Sequence, residues 1–358
     1  MRFQFKTRYE QDIDLFRDNV DRFWYGALAL ALVIAPFVLH EFWVGELTYV
    51  FILAIAGVGL MILTGYTGQV SLGHAAFLGI GAYTHAVLLK MGLPMIVTVP
   101  AATLLSAAFG AMIGFPALRL TGVYLAIATL AFAFIVEQAL SRWDSVTGGF
   151  AGFAVPKPEI FGITVTDTVP FYFMALLFLV IAILAALNLL RSPAGRAFVA
   201  IRDSEIAAQS MGVNLAAYKT LAFAISAGFT GLAGTLFAHK ISYLAPDAFN
   251  IILSIQLLLM VVVGGLGSLH GAVFGAIFVG SLPQLIAIIR DFLPAAIARQ
   301  PGLEPGIFGM ILVLFILFEP LGIYGRWRKI KLYFSLFPLY KRATFKRQKS
   351  YTKSERFR

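Results

Sequence analysis

Ten long apolar runs decide what this chain can fold into. A helix needs roughly 17 to 25 apolar residues to cross a bilayer. The chain is 59% hydrophobic and 13% charged, with a mean hydropathy of +0.85, so it lacks the polar surface of a water-soluble globule. We predict an all-α polytopic membrane protein with about ten transmembrane helices. The runs lie near 24–40, 47–64, 71–90, 95–114, 121–140, 170–190, 219–238, 250–266, 270–290 and 305–324.

The distribution of Lys and Arg predicts the orientation of these helices. With both termini in the cytoplasm, 22 of the 28 basic residues lie on the inner side and 6 on the outer side. This bias is the one that cytoplasmic loops show. It divides the chain into an N-terminal segment, 1–23, a transmembrane domain, 24–325, and a basic cytoplasmic tail, 326–358. Residues 191–219 become a cytoplasmic insert within the transmembrane domain.

The two terminal segments differ in character. In the first, Ile13, Phe16, Val20 and Phe23 recur at helical spacing, which fits either a helix along the inner membrane surface or a solvated tail. The charged residues before the first apolar run argue against a cleavable signal. The C-terminal tail holds twelve basic residues and one acid, Glu355. A basic cluster beside a membrane favours contact with anionic lipid, and we expect no nucleic acid partner.

Two glycine-rich segments, 65–83 and 263–280, interrupt the apolar runs. Irregular backbone at membrane depth survives only where protein or a water-filled cavity surrounds it, so these segments should face inward. Their related cores, S-L-G-H-A at 71–75 and S-L-H-G-A at 268–272, suggest a possible internal repeat of two halves with a transport pathway between them. Close helix packing is the other explanation for the glycines. The candidate pathway residues are Gly68, Gln69, Ser71, Gly73, His74, Gly264, Gly265, Gly267, Ser268 and His270.

Titratable residues within the apolar runs are few. His74 and His270 could each relay a proton or bind a ligand, or could be hydrogen-bonded packing residues. Glu137 could bind a ligand or reach the membrane surface, and buried acids are costly enough to attract attention. The chain lacks the repeated buried acids of many ion-driven carriers and has no cysteine, so no metal site or thiol chemistry is predicted.

The insert is the one long charged segment inside the apolar region. A short helix with small side chains and charged flanks can enter a partner's cleft, because the two backbones can approach closely. The alternative is an ordinary solvated loop. The residues predicted to dock are Arg196, Arg202, Asp203, Glu205, Ala207, Ala208 and Gly212.

Four motifs in fixed order carry a family resemblance: G-Y-T-G-Q-V-S-L-G-H-A-A-F, T-G-G-F-A-G, the insert sequence G-R-A-F-V-A-I-R-D-S-E-I-A-A-Q-S-M-G, and V-V-G-G-L-G-S-L-H-G-A-V-F-G-A. Together, over about residues 47–325, they resemble the permeases of bacterial branched-chain amino acid ABC importers. The chain is most similar to the second of the two dissimilar permease subunits. The distal Ile-x-Leu-Pro of the importer motif is missing, so the coupling role of the insert is inferred from the motif's first half and from topology.

The resemblance implies a complex in the bacterial inner membrane. Its partners would be a second permease, two cytoplasmic ATP-binding subunits and a periplasmic solute-binding protein, and its cargo a branched-chain amino acid or a related small polar or carboxylate solute. The outer loop 141–169 could receive the binding protein or close the outer mouth. The chain has no G-x-x-x-x-G-K-[ST] phosphate loop, so ATP and Mg²⁺ would bind the partner ATPase and not this non-catalytic subunit.

Three other functions are compatible with a polytopic chain. An ion-coupled secondary transporter would need buried carboxylates as ion sites. A membrane-embedded enzyme would need a catalytic constellation, and neither H-E-x-x-H nor G-x-S-x-G is present. A scaffold would tolerate replacement of Gln69 and Ser71.

The predicted topology can be tested with a reporter that is active only in the cytoplasm. Because basic residues concentrate on the inner side, we expect full activity from a fusion after Tyr340. A reporter active only in the periplasm should be silent at the same position. The reverse pair of results would place the C-terminus outside.

Overall fold

Helices dominate the part of the chain that the computed structural model describes, which is residues 19–117, 120, 122–157, 159–160, 163–164, 168–292, 303–319 and 321–336. Ile13 and Phe16 of the predicted surface helix, Arg119 on the predicted inner side and the end of the basic tail lie outside these residues. The long helices are α1 (Asn19–Val38), α2 (Glu41–Leu60), α3 (His74–Lys90), α4 (Met95–Ala117), α5 (Val123–Arg142), α7 (Thr168–Arg191), α10 (Leu215–Ile241), α11 (Ile251–Gly264), α12 (Leu269–Phe292), α13 (Leu303–Phe318) and α14 (Gly322–Leu336).

Shorter elements connect them. A π-helical turn, Met61–Tyr66, continues α2, and 3-10 turns occupy Gly149–Ala151 and Pro246–Phe249. The remaining short helices are α6 (Asp144–Thr147), α8 (Pro193–Asp203) and α9 (Glu205–Ser210).

Each of the ten predicted apolar runs contains a helix, and the all-α membrane class is confirmed. Among the described residues, seven helical stretches are long and apolar enough to cross a membrane. They are Glu41–Tyr66, Met95–Pro116, Val123–Arg142, Thr168–Arg191, Leu215–Ile241, Pro246–Gly264 and Leu269–Ala287. The helices in the other three runs, α1, α3 and α13, have shorter apolar parts. Ten membrane crossings and an internal repeat therefore stay predictions.

The centre of the bundle is formed by α2, α3 and α10. After its exposed first turn, α2 is apolar on every side and largely buried, as expected of a helix surrounded by protein. Helix α10 packs against α2, α3 and α4 and buries a stripe of Gly, Ala, Ser and Thr. Helices α4 and α7 expose more of their apolar side chains and lie towards the outside.

Glycines let α3 and α10 approach closely. A Cβ atom at Gly81 would overlap the backbone of Gly231, and one at Gly234 would overlap the carbonyl group of Leu78. In a membrane, helix association depends on such van der Waals contact, because lipid tails are as apolar as the side chains. Close packing therefore accounts for the glycines at these positions.

Contacts between helix ends define two ends of the bundle. At one end, the Thr168 hydroxyl donates to a Glu41 carboxylate oxygen at 2.6 Å, and Lys240 Nζ donates to the Gly45 carbonyl oxygen at 2.9 Å. At the other, the side chain of Arg202 reaches the end of α2. We call the end that carries α8 and α9 the insert end, and the opposite end the loop end. Helices α2 and α7 thus run towards the insert end, and α10 runs back.

The loop end contains two antiparallel pairs of two-residue strands that the sequence analysis missed. Strand β1 (Phe153–Ala154) pairs with β4 (Tyr243–Leu244), and β2 (Glu159–Ile160) pairs with β3 (Ile163–Thr164). Strands of two residues are too short for an alternating pattern to predict them. The β1–β4 pair joins the loop after α6 to the chain after α10.

The tight contact between α3 and α10 predicts unequal effects of two glycine substitutions. Gly81→Val places a branched side chain against the Gly231 backbone, and overpacking typically costs about 1–3 kcal/mol. Gly26→Val, on exposed α1, meets no atom within 4 Å. We expect only Gly81→Val to lower the melting temperature in detergent and the amount of protein in the membrane. Equal stability of the two variants would contradict this packing.

Candidate functional site

The chain is irregular between α2 and α3, inside the first glycine-rich segment. The π-helical turn ends at Tyr66, and α3 begins at His74. Hydroxyl groups bond to the freed carbonyl oxygens: Thr64 Oγ1 donates to Gln69 O at 3.1 Å, and Thr67 Oγ1 donates to Leu63 O. The segment is largely buried, as predicted for irregular backbone at membrane depth.

Three neighbouring helices supply hydrogen-bond partners to this break. Thr129 of α5 accepts from the Leu72 backbone N–H at 3.0 Å, and Ser254 of α11 accepts from the Ala75 N–H at 3.1 Å. These bonds satisfy N–H groups that the start of a helix leaves without partners. The break is therefore fixed by side chains from distant parts of the chain.

His74 is the central residue of this network. Its Nδ1 lies 2.9 Å from Ser71 Oγ, its Nε2 lies 2.8 Å from Ser226 Oγ on α10, and the residue is fully buried. Ser71 Oγ also accepts from the Gly73 N–H at 3.3 Å. Both ring nitrogens have partners, so the geometry favours the packing interpretation of His74 over that of a proton relay.

Gln69 differs from its neighbours in the break. It is only 6% exposed, and its side-chain oxygen has no hydrogen-bond partner. Buried polar atoms are seldom left unpaired, and each calls for an explanation. Among the candidate pathway residues of the first segment, Gln69 is thus the one with an unpaired side-chain atom that could bind a solute.

The second glycine-rich segment forms the break between α11 and α12. Gly265 and Gly267 have φ of 112° and 79°, which side chains with a Cβ rarely adopt. A Cβ at Gly264 would overlap the Gly271 carbonyl group, and Ser268 Oγ accepts from the Gly271 N–H at 3.4 Å. The two breaks meet, because a Cβ at Gly65 would lie 2.7 Å from the backbone nitrogen of Gly267.

His270 lies in a different environment from His74. It is exposed; its Nε2 is 2.7 Å from the Tyr25 hydroxyl, and its ring stacks on Tyr324 with centroids 5.7 Å apart. It thereby joins α1 and α14 to the start of α12. The S-L-G-H-A and S-L-H-G-A cores do not place their histidines equivalently.

Arg202 joins the insert to both glycine breaks. Its Nη1 donates to the Gly65 carbonyl oxygen at 3.2 Å, and a Cβ on Gly267 would lie 3.2 Å from the same nitrogen. The guanidinium also pairs with Asp203 at 3.0 Å. Arg202 and Asp203, both predicted to contact a partner, therefore form contacts within this chain. Next to them, Gly68, with φ of 71°, lies against the Arg202 side chain.

The insert is a sequence of capped helices. Ser192 accepts from the Gly195 N–H at the start of α8, Ser204 from the Ala207 N–H at the start of α9, and Asn214 from the Ala217 N–H at the start of α10. Such caps each contribute about 1 kcal/mol to helix stability. The insert is therefore an ordered structure and not an irregular loop.

The three small residues predicted to form one docking face are not all exposed. Ala207 is exposed, but Ala208 is buried. Gly212 has φ of 83°, which favours glycine at this turn, and a Cβ there would meet no atom of this chain within 4 Å. The exposed surface carries two large apolar side chains instead, Ile206 at 81% and Met211 at 87% exposure.

The charged residues of the insert also form contacts within the chain. Glu205 Oε1 accepts from Lys219 Nζ at 2.6 Å, and the Lys219 side chain is only 4% exposed. Arg196 Nη1 donates to the Arg191 carbonyl oxygen at 3.1 Å. Glu205 is thus the partner of a buried cation on α10, and its side chain remains 41% exposed.

Three residues that hold the first break were not predicted from the sequence. Thr129, Ser226 and Ser254 are single polar residues inside apolar helices, and each bonds to the segment between Ser71 and Ala75. Isolated Ser and Thr residues are common in membrane helices, so no spacing pattern distinguishes them from others. Their role becomes visible only when the helices are arranged in space.

Most of this chain matches a known family of transport permeases. Residues 43–317 match the family described as branched-chain amino acid transport system, permease component. The chain is 35% identical over 322 residues to the high-affinity branched-chain amino acid transport system permease protein LivM of Escherichia coli (strain K12), covering 83% of this chain and 73% of the relative. It is 29% identical over 262 residues to the autoinducer 2 import system permease protein LsrC of Enterobacter sp. (strain 638), covering 69% and 70%. No solved structure matches.

The network around His74 predicts energetic coupling between helices α3 and α10. His74→Phe and Ser226→Ala each break the bond between Nε2 and the hydroxyl, so the double variant should lose less stability than the sum of the two. Residues in one network typically show coupling of about 0.5–3 kcal/mol. Thermal unfolding in detergent measures it. As a control, Thr235→Ala removes a hydroxyl of α10 that bonds to the Leu232 carbonyl of the same helix, and it should add independently. Simple additivity of His74→Phe and Ser226→Ala would refute the network.

Proposed function

The chain belongs to the permease components of branched-chain amino acid transport systems, and from this premise we propose that it is the transmembrane subunit of an ATP-driven importer. Its partners would be a second permease subunit, two ATP-binding subunits and a solute-binding protein. ATP and Mg²⁺ would bind the ATP-binding subunits. In this proposal the insert end faces the cytoplasm and both termini are cytoplasmic, as the basic residues predict.

The observation that carries the proposal is the contact of Arg202 with the Gly65 carbonyl oxygen. It connects the insert, which would dock on an ATPase, with the junction of the two glycine breaks. Glu205 and Lys219 form a second connection, from α9 to the buried side of α10. The Lys219 side chain is almost fully buried, so separating it from Glu205 would leave a buried cation unpaired, and the insert and α10 should move together.

The exposed surface of α9 has the character of a docking anchor. Ile206 and Met211 project from a helix that is fixed by its caps and by the Glu205 pair. Large apolar side chains that fill a partner's pocket contribute most of the binding energy in protein interfaces. We propose that they enter a groove on the ATP-binding subunit.

The mechanism follows from these connections. When the ATPase subunits close, α8 and α9 would move as one body, and Arg202 would carry that movement to Gly65 and Gly267. The bundle would then alternate between outward-open and inward-open states. ATP binding shifts this equilibrium only if the insert makes different contacts in the two states.

The solute would pass beside the two glycine breaks. The candidate residues are those of the sequence analysis, with Gln69 favoured because its side-chain oxygen is buried and unpaired. A branched-chain amino acid is the proposed cargo, from the identity with LivM over most of the chain. A different small polar solute is the second candidate, because LsrC is named as part of an autoinducer 2 import system.

We also propose that α14 lies on the inner membrane surface. It exposes Trp327, Tyr333 and Phe334 beside basic side chains, among them Arg328 and Lys329. Helices with aromatic and basic residues at the interface bind anionic lipid through both kinds of contact.

The docking role of α9 can be separated from the transmission role of Arg202. Ile206→Glu places a charge in the proposed apolar groove, and the loss of one anchor, typically about 2 kcal/mol, corresponds to roughly thirtyfold weaker binding of the ATPase. Ile206→Leu is the matched control and should bind normally. Arg202→Gln should assemble normally but lose most of the ATP hydrolysis that the loaded binding protein stimulates in proteoliposomes.

Two outcomes would contradict these two proposed roles. Normal capture of the ATPase by Ile206→Glu would show that α9 is not the docking site. Undiminished stimulation in Arg202→Gln would show that the contact with Gly65 does not transmit the signal.

A further inference from the structure

Two carboxylates and a buried hydroxyl lie together near the loop end, apart from the glycine breaks. Glu137 lies near the end of α5, and Asp247 lies in the 3-10 turn that packs against both α5 and α3. The charges of Glu137 and Asp247 interact, and so do Asp247 and the hydroxyl of Tyr83 on α3. We call these three residues the loop-end acidic cluster.

The hydroxyl of Tyr83 is available to bind a ligand. The residue is 3% exposed, and its hydroxyl has no hydrogen-bond partner. A buried hydroxyl normally finds a partner, because leaving it unpaired costs stability. The hydroxyl is therefore free to bind a group that enters from the loop end.

Neither carboxylate forms an ion pair with another of the described residues. Among the described residues, the basic side chains in ion pairs with acids all lie at the insert end: Arg202, Lys219, Arg326 and Lys329. Two neighbouring carboxylates repel each other, and a positive charge between them would remove that repulsion. The charge of the cluster therefore selects a cationic group.

The residues next to the cluster suit an amino acid with an apolar side chain. The Tyr83 ring packs against Phe153 at 6.1 Å and Phe249 at 5.8 Å between centroids. A basic group also lies at Phe153, since Lys90 Nζ is 5.3 Å from the centre of that ring. The buried hydroxyl therefore has aromatic rings beside it, as an ammonium group attached to an apolar side chain would need.

The depth of the three groups gives them an order along an entry route. Asp247 is exposed, Glu137 is half-buried and Tyr83 is almost fully buried. A docked protein could reach Asp247, but it could not reach the Tyr83 hydroxyl. A small solute passing inward from the loop end could meet all three in turn.

We propose that the loop-end acidic cluster binds the ammonium group of the transported amino acid as it enters the permease. Asp247 and Glu137 attract the ammonium group, and the Tyr83 hydroxyl accepts a hydrogen bond from it. This inference rests on the proposed import of an amino acid.

The test measures binding of radiolabelled leucine to the purified complex of both permeases and both ATPase subunits, without the binding protein. Removing a hydrogen bond to a charged group should weaken binding about tenfold or more in Asp247→Asn, Glu137→Gln and Tyr83→Phe. Glu46→Gln is the matched control, because Glu46 is a half-buried carboxylate at the same end, in the field of Lys240. That variant should bind leucine as the unchanged complex does.

Two leucine analogues identify the group that is recognised. Isoamylamine keeps the ammonium group and lacks the carboxylate, and it should compete with leucine in the unchanged complex but not in Asp247→Asn. 4-Methylpentanoate lacks the ammonium group and should not compete. Competition by 4-methylpentanoate alone, or unchanged leucine binding in all three variants, would overturn the inference, and so would an unchanged complex that binds no leucine.

A separate measurement distinguishes failure of this inference from failure of the proposed function. ATP-dependent uptake of leucine with the loaded binding protein tests the importer, whatever the cluster does. Normal uptake together with unaltered leucine binding in the variants would reject the ammonium site and leave the proposed importer function standing. Weakened capture of the binding protein with normal leucine binding would assign Asp247 to a docking surface and reject the ammonium site.

Discussion

The rest of the structure depends on how the backbone between α2 and α3 satisfies its hydrogen bonds inside an apolar bundle. A helix that stops at membrane depth leaves N–H and C=O groups that water cannot reach. Here Thr129, Ser226 and Ser254, from three other helices, hold this break directly or through His74. The arrangement of α5, α10 and α11 around α3 follows from that requirement, because moving any one of them would leave a buried polar group unpaired.

The same break brings the functional elements of the chain together. Gly65 lies against Gly267, and both lie at the Arg202 side chain. Glycine permits this meeting because no Cβ separates the backbones, and because Gly265 and Gly267 adopt positive φ. An arginine suits the position since its planar group can donate to a carbonyl oxygen and to Asp203 at once. The insert and the membrane segments thus form one connected unit.

Structural features that are signalled by a pattern over many residues were predicted well from the sequence. Contacts between individual residues were not. Apolar length located a helix in every predicted run, and interrupted hydrophobicity located both glycine breaks, since these signals extend over a dozen residues or more. The side on which Ala208 lies, the pairing of Glu205 with Lys219 and the exposure of His270 depend on how distant helices meet. Small residues in the insert suggested a narrow face, but the rotation of α9 about its axis decides which of them is exposed, and no spacing in six residues specifies that rotation.

The glycine contact between α3 and α10 has a mechanical consequence. Where side chains interlock, one helix can shift along another only if rotamers change. Between Gly81, Gly231 and Gly234 the contact consists of backbone atoms, with no side chain of these residues to rearrange. Such a contact prevents α3 and α10 from tilting towards each other, because their backbones already touch. It permits one helix to slide along the other in a shear motion. Because the Lys219–Glu205 ion pair joins α10 to the insert, a displacement of the insert would be transmitted to α10 as this sliding motion.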